Sequence, residues 1–193
     1  MKEAQTEAPK RNMRNAMSID LEDWFCVRNL SHAIKKEDWG KCELRAYEST
    51  KRILNLLDKH QTRATFFVLG WVAERLPELI CEIERKGHEI AVHGYNHLLL
   101  TEITPHEFEE DLSRALETLE NCGVKQHPIG FRAPSFNIVE KTKKQSRGLC
   151  GFSKNIVLNT TRRSSPWAFI RITEWRMLLL LHTRSRSGFT SFR

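Results

Sequence analysis

The sequence predicts an α/β fold, a parallel sheet or barrel with right-handed helical crossovers. Three observations predict it. Short apolar runs such as ATFFVL (64–69) lack the alternation of a half-exposed strand and read as strands covered on both faces. Between them lie segments with the apolar periodicity of amphipathic helices. Carboxylates, imidazoles and a guanidinium follow the runs, and in such folds functional groups collect at the carboxyl ends of the strands.

Taken in order, residues 1–14 are polar and read as an extension. NAMSID (15–20) reads as a short buried strand that ends in the acids of LEDWF. Residues 24–47 mix aromatic and charged residues without a period and read as a loop with a short helix. Ser49 or Thr50 is the expected N-cap of a helix whose apolar stripe is Ile53, Leu54, Leu56 and Leu57. After the 64–69 strand and Gly70, one helix is expected from Trp71 to Lys86, with Val72, Leu76, Leu79, Ile80 and Ile83 on one face and Gly87 closing it. EIAV (89–92) is the next strand. Thr104-Pro105 opens a long helix with Phe108, Leu112, Ala115, Leu116 and Leu119 inward, closed by Gly123. Pro128 to Phe131 is the following strand. No internal repeat recurs at a fixed period.

Composition narrows the class. The chain has 193 residues, 40% hydrophobic and 28% charged, which suits one globular domain and excludes collagenous and wholly disordered chains. No apolar run approaches the about 20 residues of a membrane helix. The N-terminus has no apolar core of a secretory signal, so a cytoplasmic location is expected. Five scattered cysteines (26, 42, 81, 122, 150) without C-x-x-C spacing suggest free thiols. The net charge of +7 is unevenly spread: residues 1–140 carry −4 and residues 141–193 carry +11, with Glu174 the one acid of the latter. A basic segment can attract polyanions. Here it lacks a recognisable nucleic-acid module, and no nucleic-acid partner is expected.

Three segments carry chemistry. His93 and His97 form H-x3-H, a spacing that puts two imidazoles on one face of a helical turn, where they can share a metal. Asp20, Glu22 and Asp23 follow the first strand; acids there also commonly cap a following helix. A carboxylate with two histidines is a usual ligand set for Zn²⁺ or another divalent ion with open positions, and a second carboxylate can act as general base toward the attacking water. Arg132, in GFRAPSF, can pair with that carboxylate and orient it.

In this order, SIDLEDW, HGYNH and RAPSF resemble the three motifs of the polysaccharide deacetylase family (the NodB homology domain, carbohydrate esterase family 4). The intervening TRATFFVLGWVAERLPELICEIERKGHEIAVHGYNH is in the same style, and DLEDWF with RAPSFNI looks like the members associated with exopolysaccharide and exosortase gene clusters. The resemblance covers residues 15–140. It implies a distorted (β/α) barrel of the NodB type, incomplete at its C-terminal end, and metal-dependent removal of N-acetyl groups from the amino sugars of a polysaccharide. By the same resemblance Asp20 is the general base and Asp23 the metal carboxylate, with Glu22 as the alternative. The D-x-E-D string fits either register, so base and ligand can exchange. His93 and His97 match the metal histidines, Arg132 orients the base, and Pro134 and Phe136 contact substrate. The implied cofactor is a divalent metal, Zn²⁺ first and Co²⁺ or Ni²⁺ as alternatives. The implied partner is an acetylated amino-sugar polysaccharide.

The pattern stops near residue 142. The family's intermediate motif with Asp and Trp, and its late histidine that protonates the leaving amine, belong beyond that point. From Lys143 on, acids, helical periodicity and family style vanish together, as a change of reading frame would produce. The expected organisation is therefore an extension (1–14), the N-terminal part of a deacetylase domain (15–142) and a basic non-homologous tail (143–193). His182, in MLLLLHT, stands where the late histidine is expected and is the one candidate general acid. A barrel without its last strands has open edges, and weak or absent catalysis with a tendency to aggregate is expected, an inactive truncated product being one alternative. Two competing functions are an amidase-like hydrolase of a small molecule on the same fold and a nucleic-acid binder acting through the basic tail.

Overall fold

A computed structural model of the chain describes residues 16–126, 128, 130–137, 156–159 and 169–172. Four parallel strands form the frame: β1 (Met17–Leu21), β2 (Ala64–Val68), β3 (Glu89–Val92) and β4 (Gly130–Phe131). They pair in chain order, with Asp20 beside Phe67, Val68 beside Val92 and Val92 beside Phe131. Phe66, Val68, Ile90 and Val92 are all buried, because helices cover the sheet. This is the predicted parallel α/β frame.

Two further strands, β5 (Ile156–Asn159) and β6 (Phe169–Ile172), extend the sheet in the order β1-β2-β3-β4-β6-β5. Both are antiparallel additions, β6 against β4 and β5 against β6. They come from the basic segment expected to lie outside the fold, so that segment is not wholly separate from the sheet.

The helices differ from expectation in two places. Helix α1 (Ala46–Lys59) begins ahead of Ser49 and Thr50, which lie inside it. Its first N–H groups are capped from a distance by Asp23, as described below. The single helix expected over 71–86 is two, α2 (Gly70–Arg75) and α3 (Pro77–Arg85). Leu76 leaves the helical region at φ −128°, ψ 50° because the ring of Pro77 crowds a helical predecessor. Helix α4 (Pro105–Asn121) starts as predicted: the Thr104 hydroxyl accepts from the Glu107 N–H while the Glu107 carboxylate accepts from the Thr104 N–H. Residues 24–41 form three short 3-10 turns rather than a loop with one helix.

The core between sheet and helices is filled by Leu54, Leu79, Ile80, Ile83, Leu116 and Leu119. The four described cysteines (26, 42, 81 and 122) are free; burial pushes the Cys26 thiol up to about 12 and the Cys122 thiol to about 11. Among the described residues no helix is long and apolar enough to cross a membrane.

Candidate functional site

The carboxyl ends of β1, β3 and β4 bring Asp20, Glu22, His93, His97 and Arg132 together. Arg132, one residue past β4, is buried, and a buried guanidinium needs a partner. It has one: Nη1 donates to Asp20 Oδ1, and Nη2 donates to Ser18 Oγ at 2.8 Å. The guanidinium carbon stacks 3.9 Å above the Phe67 ring centre and 5.7 Å from that of Phe136. Asp20 thus has a fixed direction, and its side chain stays partly exposed.

The second group is Glu22, His93 and His97, whose ligand atoms all lie within 4.8 Å of one another. His93 follows β3 and is buried. Its Nδ1 lies 2.9 Å from the Arg132 carbonyl oxygen, which can only accept. Nδ1 therefore carries the proton, and Nε2 keeps its lone pair. The same residue that orients Asp20 through its side chain orients His93 through its backbone. Burial holds the His93 imidazole below its usual range, against the opposing charge of Asp20.

His97 Nε2 lies 2.9 Å from Glu22 Oε2, with their rings and chains largely buried. The contact is an ion pair rather than a hydrogen bond, and among the described residues Glu22 Oε2 has no hydrogen-bond partner. Burial alone would raise the Glu22 carboxyl; the contact with His97 and the nearness of both imidazoles outweigh it and hold the group below the usual carboxylate value. A buried, ionised carboxylate oxygen that makes no hydrogen bond and lies against His97, with His93 close by, is suited to a small cation.

Asp23 stands apart from this group. It is buried and accepts three backbone N–H groups at 2.9 Å: Trp24 on Oδ1, Arg45 and Ala46 on Oδ2. That ties the first 3-10 turn to the start of α1 and occupies both carboxylate oxygens with backbone donors. Of the two sequence alternatives, the geometry groups Glu22 rather than Asp23 with His93 and His97.

The imidazole pair also differs from expectation. Residues 93–97 are not a helical turn. They form a loop in which Gly94 and His97 have φ of 75° and 55°. The rings still approach, with centres 5.2 Å apart. Pro134, the first residue of the 3-10 turn Pro134–Phe136, is buried, and Phe136 is half exposed beside the Arg132 guanidinium. His182 lies outside the described residues.

Sequence reasoning missed Asp111, which accepts the Tyr95 and Asn96 N–H groups of the imidazole loop. Its signal was present. It sits three residues after Phe108 and four before Ala115, an acid on the apolar stripe of α4.

With this geometry in view, the chain can be set beside known proteins. The polysaccharide deacetylase family profile matches residues 38–150, beyond the limit read from the motifs. A peptidoglycan-N-acetylglucosamine deacetylase of Bacillus cereus is 34% identical over 100 residues, covering 50% of this chain and 46% of that protein. The uncharacterized protein YlxY of Bacillus subtilis (strain 168) is 39% identical over 99 residues, 50% of this chain and 28% of that one. A crystal structure from Mycobacterium smegmatis, named for the same family, is 32% identical with a TM-score of 0.55, covering 69% of this chain and 47% of that chain. The chain spans less than half the length of the curated relatives it matches.

Proposed function

The chain belongs to the polysaccharide deacetylase family, and from that premise we propose that it carries the site of a metal-dependent hydrolase removing N-acetyl groups from the amino sugars of a polysaccharide. One observation carries the reading. An oriented carboxylate, Asp20, stands beside a convergent Glu22–His93–His97 set whose carboxylate oxygen is buried and, among the described residues, accepts no hydrogen bond. The donor set of two nitrogens and one oxygen fits Zn²⁺, with Co²⁺ or Ni²⁺ as alternatives. Glu22, His93 and His97 hold the ion in this reading, and Asp23 does not. When bound, the ion supplies Lewis acidity toward the acetamide carbonyl and stabilises the oxyanion that develops there.

The other steps belong to the chain's own residues. Asp20 takes the proton of the attacking water at a carboxylate oxygen, while Arg132 holds the carboxylate in place. The Arg132 carbonyl fixes the His93 tautomer, so that Nε2 keeps the lone pair a metal ion needs. Pro134 and Phe136 form the wall along which the sugar lies. His182 is the candidate for protonating the leaving amine.

The test is acetate release from N-acetylated glycans, chitooligosaccharide and peptidoglycan among them, with and without chelator and Zn²⁺. Zn²⁺-dependent release that Asp20→Asn abolishes supports the proposal. Release from small amides but from no glycan would move the assignment to a small-molecule amidase. Absence of both turnover and metal binding would overturn it.

A further inference from the structure

Between the two imidazoles the chain runs Gly94-Tyr95-Asn96, outside any helix or strand. Such a segment keeps one shape only if its backbone groups have partners. They do, and the partners come from two sides. The N–H groups of Tyr95 and Asn96 donate to Asp111 Oδ2 and Oδ1, at 2.8 and 2.9 Å. The carbonyls of Gly94 and Tyr95 accept from the N–H groups of Gly70 and Trp71, at 2.8 and 3.1 Å. A side chain of α4 thus holds the loop's donors, and the first turn of α2 holds its acceptors.

The close approach has steric requirements. A Cβ on Gly94 would stand 2.7 Å from Asp111 Oδ2, and a Cβ on Gly70 would stand 2.6 Å from Tyr95 Cδ2. Both glycines therefore serve the same clamp. Asp111 is buried on the apolar face of α4, a costly place for a carboxyl group without partners. Burial raises it, and the bonds from Tyr95 and Asn96 work against that rise.

We propose that Asp111 is the positioning residue of the 93–97 loop: by gripping the two peptide N–H groups midway between the imidazoles, it sets their separation and direction. That these imidazoles hold a metal rests on the function proposed above; the grip on the loop does not.

The experiment compares Asp111→Asn with the unaltered chain. The substitution is nearly isosteric but sets an amide NH₂ against one of the two backbone donors. Two quantities are read: Co²⁺ affinity with its visible spectrum, and hydrogen exchange at the amides of Tyr95 and Asn96. The expected result is Co²⁺ binding weakened about 10–100-fold with an altered spectrum, and faster exchange at those two amides while β2 stays protected. A lower melting temperature with affinity, spectrum and exchange unchanged would reduce Asp111 to a stability residue and overturn the proposal. If Asp111→Asn does not fold, Gly94→Ala is expected to give the same loss of affinity, and unchanged affinity there would overturn it. If the unaltered chain binds no Co²⁺, the metal reading fails and exchange decides: protected amides at 95 and 96 uphold the positioning role, freely exchanging ones refute it.

Discussion

Strand β3 carries one buried histidine just before its first residue and another just after its last, and the two hold opposite tautomers. At the amino end, His88 Nδ1 accepts from the Ala64 N–H at 3.3 Å, so its proton sits on Nε2. Among the described residues that Nε2 has no hydrogen-bond partner, and the ring packs edge-on to Phe66, with ring centres 5.3 Å apart. At the carboxyl end, His93 donates from Nδ1 to the Arg132 carbonyl, which leaves the lone pair on Nε2, in a residue grouped with Glu22 and His97. Residue type, strand and burial are the same. The group that meets Nδ1 decides which histidine is packing and which can be a ligand.

The sharpest break between the two ends is expected in metal binding. His93→Ala should abolish Zn²⁺ binding measured by calorimetry, whereas His88→Ala should leave it unchanged. Next in size is a separation within the carboxyl end itself. Asp20→Asn should lower kcat for acetate release about 10²–10⁴-fold while Zn²⁺ affinity holds.

A smaller effect belongs to Asp23. Asp23→Ala leaves three N–H groups at the start of α1 and its neighbouring turn without their acceptor. A loss of about 2 kcal/mol in urea unfolding is expected. The smallest effect concerns pH and both ends of β3 together. Burial lowers the His88 and His93 imidazoles, so the unfolded chain takes up protons first. The contribution to stability is complete above the unfolded value of about 6.5 and is lost as pH falls from there toward the folded values. The urea midpoint of the metal-free chain should therefore drop on going from neutral to mildly acidic pH. His88→Phe should flatten that slope without removing it.

The sequence made legible what local patterns control. Apolar runs marked β1 to β3, and Thr104-Pro105 with Glu107 marked the start of α4. The three motifs named the residues that now share one end of the sheet. What failed to show was set at long range. Helix α1 starts early because Asp23, more than twenty residues upstream, caps Arg45 and Ala46. The same capture removes Asp23 from the imidazoles, a choice that the D-x-E-D string left open. The helical turn expected for H-x3-H gives way to a loop because Asp111 and the start of α2 take up its backbone groups. The break at Leu76 was readable, since Pro77 announces it, but the apolar stripe runs through it and masks the signal.

The most direct measurement is the Zn²⁺ affinity of Glu22→Gln against Asp23→Asn, each compared with the unaltered chain. Loss of binding in Glu22→Gln, with binding kept in a less stable Asp23→Asn, is the predicted result. Binding kept in Glu22→Gln and lost in a folded Asp23→Asn would contradict the grouping of Glu22 with His93 and His97.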